Sequence, residues 1–75
     1  PDPAVYLAAA AELDISPGYC LVIEDAVHGE KAARSAGMRC LAITTTNQAS
    51  DLSSADRVVN NLNSITLNEL REIFC

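Results

Sequence analysis

Tryptophan is absent, phenylalanine occurs once and tyrosine twice. Three aromatic rings are too few for a platform that stacks single-stranded bases. Basic residues are scarce too: five Lys and Arg stand against ten Asp and Glu, a formal net charge of −5 with the one histidine neutral. That sign repels phosphate backbones and anionic lipid headgroups, so neither a nucleic-acid nor a membrane partner is expected. No apolar run approaches the roughly 20 residues of a membrane-spanning helix, and the first residues do not read as a charged-then-apolar leader. Cys20, Cys40 and Cys75 are odd in number and lack metal-type spacing. They fit free thiols in a reducing cytoplasm, acting as small buried hydrophobes. A Cys20–Cys40 bridge stays open as the alternative, because both residues fall in neighbouring predicted strands.

What is present points to one small folded unit. In a chain of 75 residues with 49 % apolar content, disorder is disfavoured and residues 1–75 form a single domain. A chain this short buries only roughly 60 % of its unfolded surface, so its stability is expected to be marginal. Twelve alanines lean the composition toward helix. Asp2 and Pro3 open a helix near 3–14, with Tyr6, Ala10 and Leu13 on its inward stripe. Ser16-Pro17-Gly18-Tyr19 has the composition of a turn. Cys20 to Ile23 reads as a parallel strand covered on both faces, stopping abruptly at Glu24-Asp25.

A short helix lies between Gly29 and Gly37, the latter placed for its exit. Arg39 to Thr44 and Arg57-Val58-Val59 are two further strands. They flank a polar stretch, Thr45 to Ala55, with one helical turn around Leu52. Thr66 and Glu69 make a capping-box pattern, with Ile65 and Leu70 at staple spacing, so a last helix follows. The order helix, strand, helix, strand, strand, helix predicts an α/β fold: a partial Rossmann-like, three-layer parallel sheet of about three strands with flanking helices. The first strand is the most apolar and is not expected to be a natural edge.

Chemistry concentrates at the end of that strand. In open parallel sheets, ligands bind outside the carboxyl ends of the strands. Glu24 and Asp25 place two hard oxygen donors there, which suits Mg²⁺ held with water and phosphate. A solvated loop, with Asp25 capping the next helix, fits the same residues. His28 is either a phosphate contact or proton carrier, or a helix-entry residue without a partner. Gly29 is expected to free the backbone for a tight turn. Thr44, Thr45 and Thr46 either offer hydroxyls to the crevice or simply end a strand. Ser16, Ser35 and Ser50 lack a nucleophile motif. Asp51 and Asp56 fall in the polar loop, which argues against a receiver-like signalling domain.

The run Pro1-Asp2-Pro3, Tyr6-Leu7, Cys20-Leu21-Val22-Ile23-Glu24-Asp25-Ala26, Gly29, Ala32-Ala33, Ala36-Gly37-Met38 resembles the haloacid dehalogenase (HAD)-like hydrolase superfamily. The similarity is greatest to the C-terminal portion of its phosphoglucomutase and sugar-phosphatase branch. It implies Mg²⁺-dependent phosphoryl transfer through an aspartyl phosphate, with Asp25 a direct metal ligand and Glu24 a ligand or the holder of a metal-bound water. The family's D-x-D-x-[TV] nucleophile motif has no counterpart in these residues. Its phosphate-binding Ser or Thr is also missing, as is the lysine that precedes P-x-P, and Glu30 stands where the family usually has Val or Ile.

The expectation is therefore a C-terminal fragment carrying only the metal-anchoring acidic motif. No residue here is assigned a catalytic or substrate-binding role, Mg²⁺ binding is expected to be weak or absent, and the chain alone is expected to be inactive. A phosphorylated small-molecule substrate belongs to the full-length parent alone. The alternative is a non-catalytic interaction module that self-associates through its first strand, which in the parent would be flanked by the nucleophile strand.

Overall fold

The computed structural model describes residues 2–44, 49–52 and 55–74. The first helix, α1, spans Ala4–Leu13. Asp2 serves it as expected, its Oδ1 accepting the Ala4 N–H at 2.9 Å, although Pro3 takes the cap position and the helix opens one residue later. Tyr6 and Ala10 face the core. Leu13 was expected there too, but it is 65 % exposed. The 3.6-residue period is sound, yet the core beneath this stripe ends at Ala10. The helix closes on Asp14 in the left-handed region, φ 55°, whose N–H reaches the carbonyls of Ala10 and Ala11. A single 3-10 turn follows at Pro17–Tyr19, shut by the Tyr19 N–H on the Ser16 carbonyl at 2.9 Å.

Three strands build the sheet: β1 (Leu21–Glu24), β2 (Arg39–Ile43) and β3 (Arg57–Val59). They lie parallel in the order β1-β2-β3. Parallel neighbours need crossover connections, and α2 (Val27–Ser35) makes the first of them. The short turn Ala49–Leu52 lies on the second, with Leu52 fully buried. Among the described residues β1 is paired on one side only, so the most apolar strand does stand at an edge.

The core is built from small side chains. Ala10 of α1 and Ala33 of α2, with Ala36 just past its end, meet Val22, Met38 and Cys40, and Tyr6, Cys20 and Ala55 pack around them. Alanine on α2 lets its backbone approach the sheet closely. Side chains alternate along a strand, and this cluster takes the Val22 face of β1. Ile23 on the other face is 49 % exposed, so β1 is not covered on both faces as expected. Cys20 and Cys40 are both free, and Cys40 is buried. Cys40 registers with Val22, which puts the two cysteines diagonally, roughly 8 Å apart by strand geometry and beyond bridging reach. Cys75 lies outside the described residues.

Helix α2 begins at Val27, so Gly29 sits inside its first turn rather than in a loop. It ends as its glycine implies. Gly37 has φ 77°, and the N–H groups of Gly37 and Met38 reach the carbonyls of Arg34 and Ala33, each at 3.0 Å. That is a Schellman closure. Helix α3 (Leu67–Glu72) starts with the full capping box. The Glu69 N–H donates to Thr66 Oγ1 at 3.2 Å and the Thr66 N–H to Glu69 Oε1 at 3.0 Å. Those bonds from Thr66, with the charge of Arg57, hold the Glu69 carboxyl below its ordinary pKa. The Arg57–Glu69 ion pair ties β3 to α3. Among the described residues no helix is long and apolar enough to cross a membrane.

Candidate functional site

The acidic pair sits at the carboxyl end of β1. Glu24 is the last residue of the strand, in register with Ala42, and Asp25 occupies the bend before α2. Both are half-buried. The Glu24 carboxylate is held from three directions. Its Oε2 accepts the Tyr6 hydroxyl at 2.8 Å. Its Oε1 accepts the backbone N–H of Asp25 at 3.0 Å and of Ala26 at 3.2 Å. Ala26 caps α2 without any side-chain bond of its own, so Glu24 supplies the acceptor at that helix entrance. Two carboxylate oxygens offer about four lone-pair directions. Among the described residues three are used, which leaves one on Oε2.

Gly29 is why the carboxylate fits. A Cβ at that position would lie 2.2 Å from Glu24 Cδ and Oε2, well inside van der Waals contact. Glycine is needed here for space, not for the backbone freedom expected of it. Burial, with the hydrogen bond and charge of Glu24 adding to it, pushes the Tyr6 hydroxyl up to about 12.

The other sequence candidates do not gather around the pair. His28 is exposed in the first turn of α2. The Thr44 N–H closes a backbone bond to Val59 O at 3.0 Å, in keeping with a strand end. Thr45 and Thr46 lie outside the described residues. Ser16 and Ser35 are exposed. Among the described residues no three His, Cys, Asp or Glu side chains assemble as a metal-binding group, and no pocket encloses the pair. The crevice expected at the strand end is not closed by these residues, and the pair forms at most part of a coordination shell.

Three features escaped the sequence reading. Tyr6 was assigned to the core, and its hydroxyl partner is 18 residues away. Asp56, placed in a polar loop, accepts the Cys40 N–H on Oδ2 at 2.8 Å while its own N–H reaches Cys40 O, so it caps the start of β2. Glu30 is 1 % exposed, and its Oε2 has no hydrogen-bond partner among the described residues. The only signal for Glu30 was an acid where the resembling family carries an aliphatic residue. Cys40 lies close to these groups: burial, then the charges of Glu30, Asp56 and Glu24, pushes its thiol up to about 11.

A family model described as HAD-hydrolase-like matches residues 1–65. The chain is 43 % identical over 72 residues to beta-phosphoglucomutase of Bacillus subtilis, covering 96 % of this chain and 30 % of that protein. It is 38 % identical over 65 residues to validoxylamine A 7′-phosphate phosphatase of Streptomyces hygroscopicus, covering 87 % of this chain and 30 % of that protein. The solved structure of beta-phosphoglucomutase from Clostridium difficile superposes with a TM-score of 0.87 at 30 % identity, over 99 % of this chain and 32 % of that one. The chain thus spans about a third of the length of these relatives. With the family model covering most of its length and the parallel sheet superposing throughout, the chain belongs to the HAD-like hydrolases, and its fold is their Rossmann-like one.

Proposed function

We propose that this chain carries the metal-anchoring acidic motif of a Mg²⁺-dependent phosphatase or phosphomutase and has no turnover by itself. The observation that carries the reading is the placement of Glu24 and Asp25 at the carboxyl end of a parallel strand, with Glu24 fixed by three donors. The relatives, a beta-phosphoglucomutase and a validoxylamine A 7′-phosphate phosphatase, support the substrate class of a phosphorylated small molecule for the whole protein. The donor set fits the metal: carboxylate oxygens are hard ligands, and Mg²⁺ is commonly held by one or two of them with waters completing the shell. When bound, Mg²⁺ neutralises charge on the transferring phosphoryl group. Asp25 is the direct ligand in this reading. Glu24, with one free lone-pair direction, contributes a single further contact and anchors the entrance of α2.

Inactivity follows from what these residues do not supply. Phosphoryl transfer through a covalent intermediate needs a nucleophile and a cationic clamp, and no D-x-D motif occurs among the 75 residues. With p-nitrophenyl phosphate and Mg²⁺, the purified chain is expected to show no hydrolysis above background. Metal-dependent turnover that Asp25→Asn removes would overturn the inactivity.

A second reading has its own observation. The edge of β1 is unpaired among the described residues and Ile23 beside it is 49 % exposed, which favours a non-catalytic module that pairs with a second copy of itself. Genomic sequence 5′ of the Pro1 codon separates the two: an in-frame D-x-D-x-[TV] segment supports the enzyme, and a start codon directly before Pro1 the module.

A further inference from the structure

We propose that Tyr6 and Gly29 are positioning residues, a clasp that restricts Glu24 to one single-oxygen contact with a metal or its water and so reserves the direct site for Asp25. The clasp stands on contacts already described, and its consequence for metal choice rests on the reading of the acidic pair as a metal anchor. Glu24 Oε1 is committed to two backbone amides, and Oε2 to the Tyr6 hydroxyl. Chelation through both oxygens would require Oε1 to abandon amides at the entrance of α2. Gly29 removes the side-chain volume that would otherwise push the carboxylate off this seat. Tyr6 holds it from α1, whose opening residues lie at the other end of the family-like run, so the orientation of α1 is coupled to the acidic pair.

Bidentate carboxylates suit Ca²⁺, which tolerates seven or eight ligands, whereas Mg²⁺ demands near-octahedral geometry with single-oxygen contacts. A clasped Glu24 therefore favours the smaller ion, and a freed one loses that preference. Loss of packing alone would weaken both ions in proportion. The discriminating quantity is the ratio of affinities.

The test uses the whole chain and two variants, Tyr6→Phe and Gly29→Ala. NMR of the metal-free chain, labelled at glutamate, is expected to show one Glu24 rotamer, and rotamer averaging or a displaced rotamer in either variant with α2 still helical. A Glu24 rotamer unchanged in both variants overturns the clasp. With Mn²⁺ as a paramagnetic probe for the smaller ion and Ca²⁺ as competitor, Tyr6→Phe is expected to weaken Mn²⁺ roughly tenfold, as loss of an outer-shell partner does, and Ca²⁺ much less. Equal losses for both ions overturn the control of metal choice. If Mn²⁺ broadens no signal at Asp25 in the unsubstituted chain, the metal-anchor reading fails, while the rotamer measurement still decides the clasp.

Discussion

Cys40 shows how a single side chain takes its chemistry from its surroundings. Its thiol is buried against Val22 and Met38 and faces the charges of Glu30, Asp56 and Glu24, so its pKa rises from 9.0 to about 11. A group whose folded pKa is raised binds its proton more tightly in the folded state. Its contribution to stability is complete below pH 9 and is lost as pH climbs through 11. At about 1.4 kcal/mol per pKa unit, the full loss is on the order of 2–3 kcal/mol. Urea midpoints are therefore expected to fall between pH 8.5 and about 11, and a flat profile would contradict the burial. Glu30 poses the opposite problem. Its side chain is 1 % exposed and one carboxyl oxygen has no hydrogen-bond partner among the described residues, and a buried polar atom left without a partner costs roughly 1–3 kcal/mol. Glu30→Met is expected to raise the urea midpoint. A drop would show that the carboxylate is paired.

The elements were legible where local chemistry decides them. Thr66 with Glu69 announced α3, Gly37 announced the end of α2, and Arg57–Val59 was read to the residue, because caps and β-branched runs act within a few positions. The misses share one cause, which is that tertiary distance is not written in local pattern. Leu13 lies on the correct stripe but past the end of the core beneath it. Ile23 faces outward because the packed helices crowd the Val22 side. Of the site, the acidic pair was legible from its place after an apolar strand. The Tyr6 hydroxyl and the space left by Gly29 were not, since both depend on α1 and α2 meeting over one carboxylate. The two left-handed helix ends yield a paired prediction. Asp14, φ 55°, endures a backbone that costs an L-residue roughly 1–2 kcal/mol, while Gly37, φ 77°, adopts it freely. Asp14→Gly is expected to stabilise, and Gly37→Ala, whose new methyl meets nothing within 4 Å, to destabilise, each by about 1 kcal/mol in thermal or urea unfolding. Equal and near-zero shifts would remove the argument from backbone strain.

Taken as one body, the chain leaves much of its apolar surface to water. Val5 is 77 % exposed, Leu13 65 % and Ile23 49 %, and Leu7 and Ile15 stand out beside them. Helix α1 thus carries apolar residues on its outer side as well as its inner one, a pattern typical of a helix buried all round. Because the chain matches only about a third of its relatives' length, we propose that further protein covers these residues in a complete HAD-like unit. Alone, the chain has the free edge of β1 as its nearest template for pairing. Its charge of −5 works against that encounter, so added salt, by screening like charges, should strengthen association. Light scattering on the purified chain is expected to give at least twice the monomer mass, rising with salt. Ile23→Lys, which alters no buried residue, is expected to return it to a monomer with unchanged circular dichroism. A folded monomer at high salt in the unsubstituted chain would rule out strand-edge pairing, and an Ile23→Lys chain that still dimerises would shift the contact to the outer side of α1.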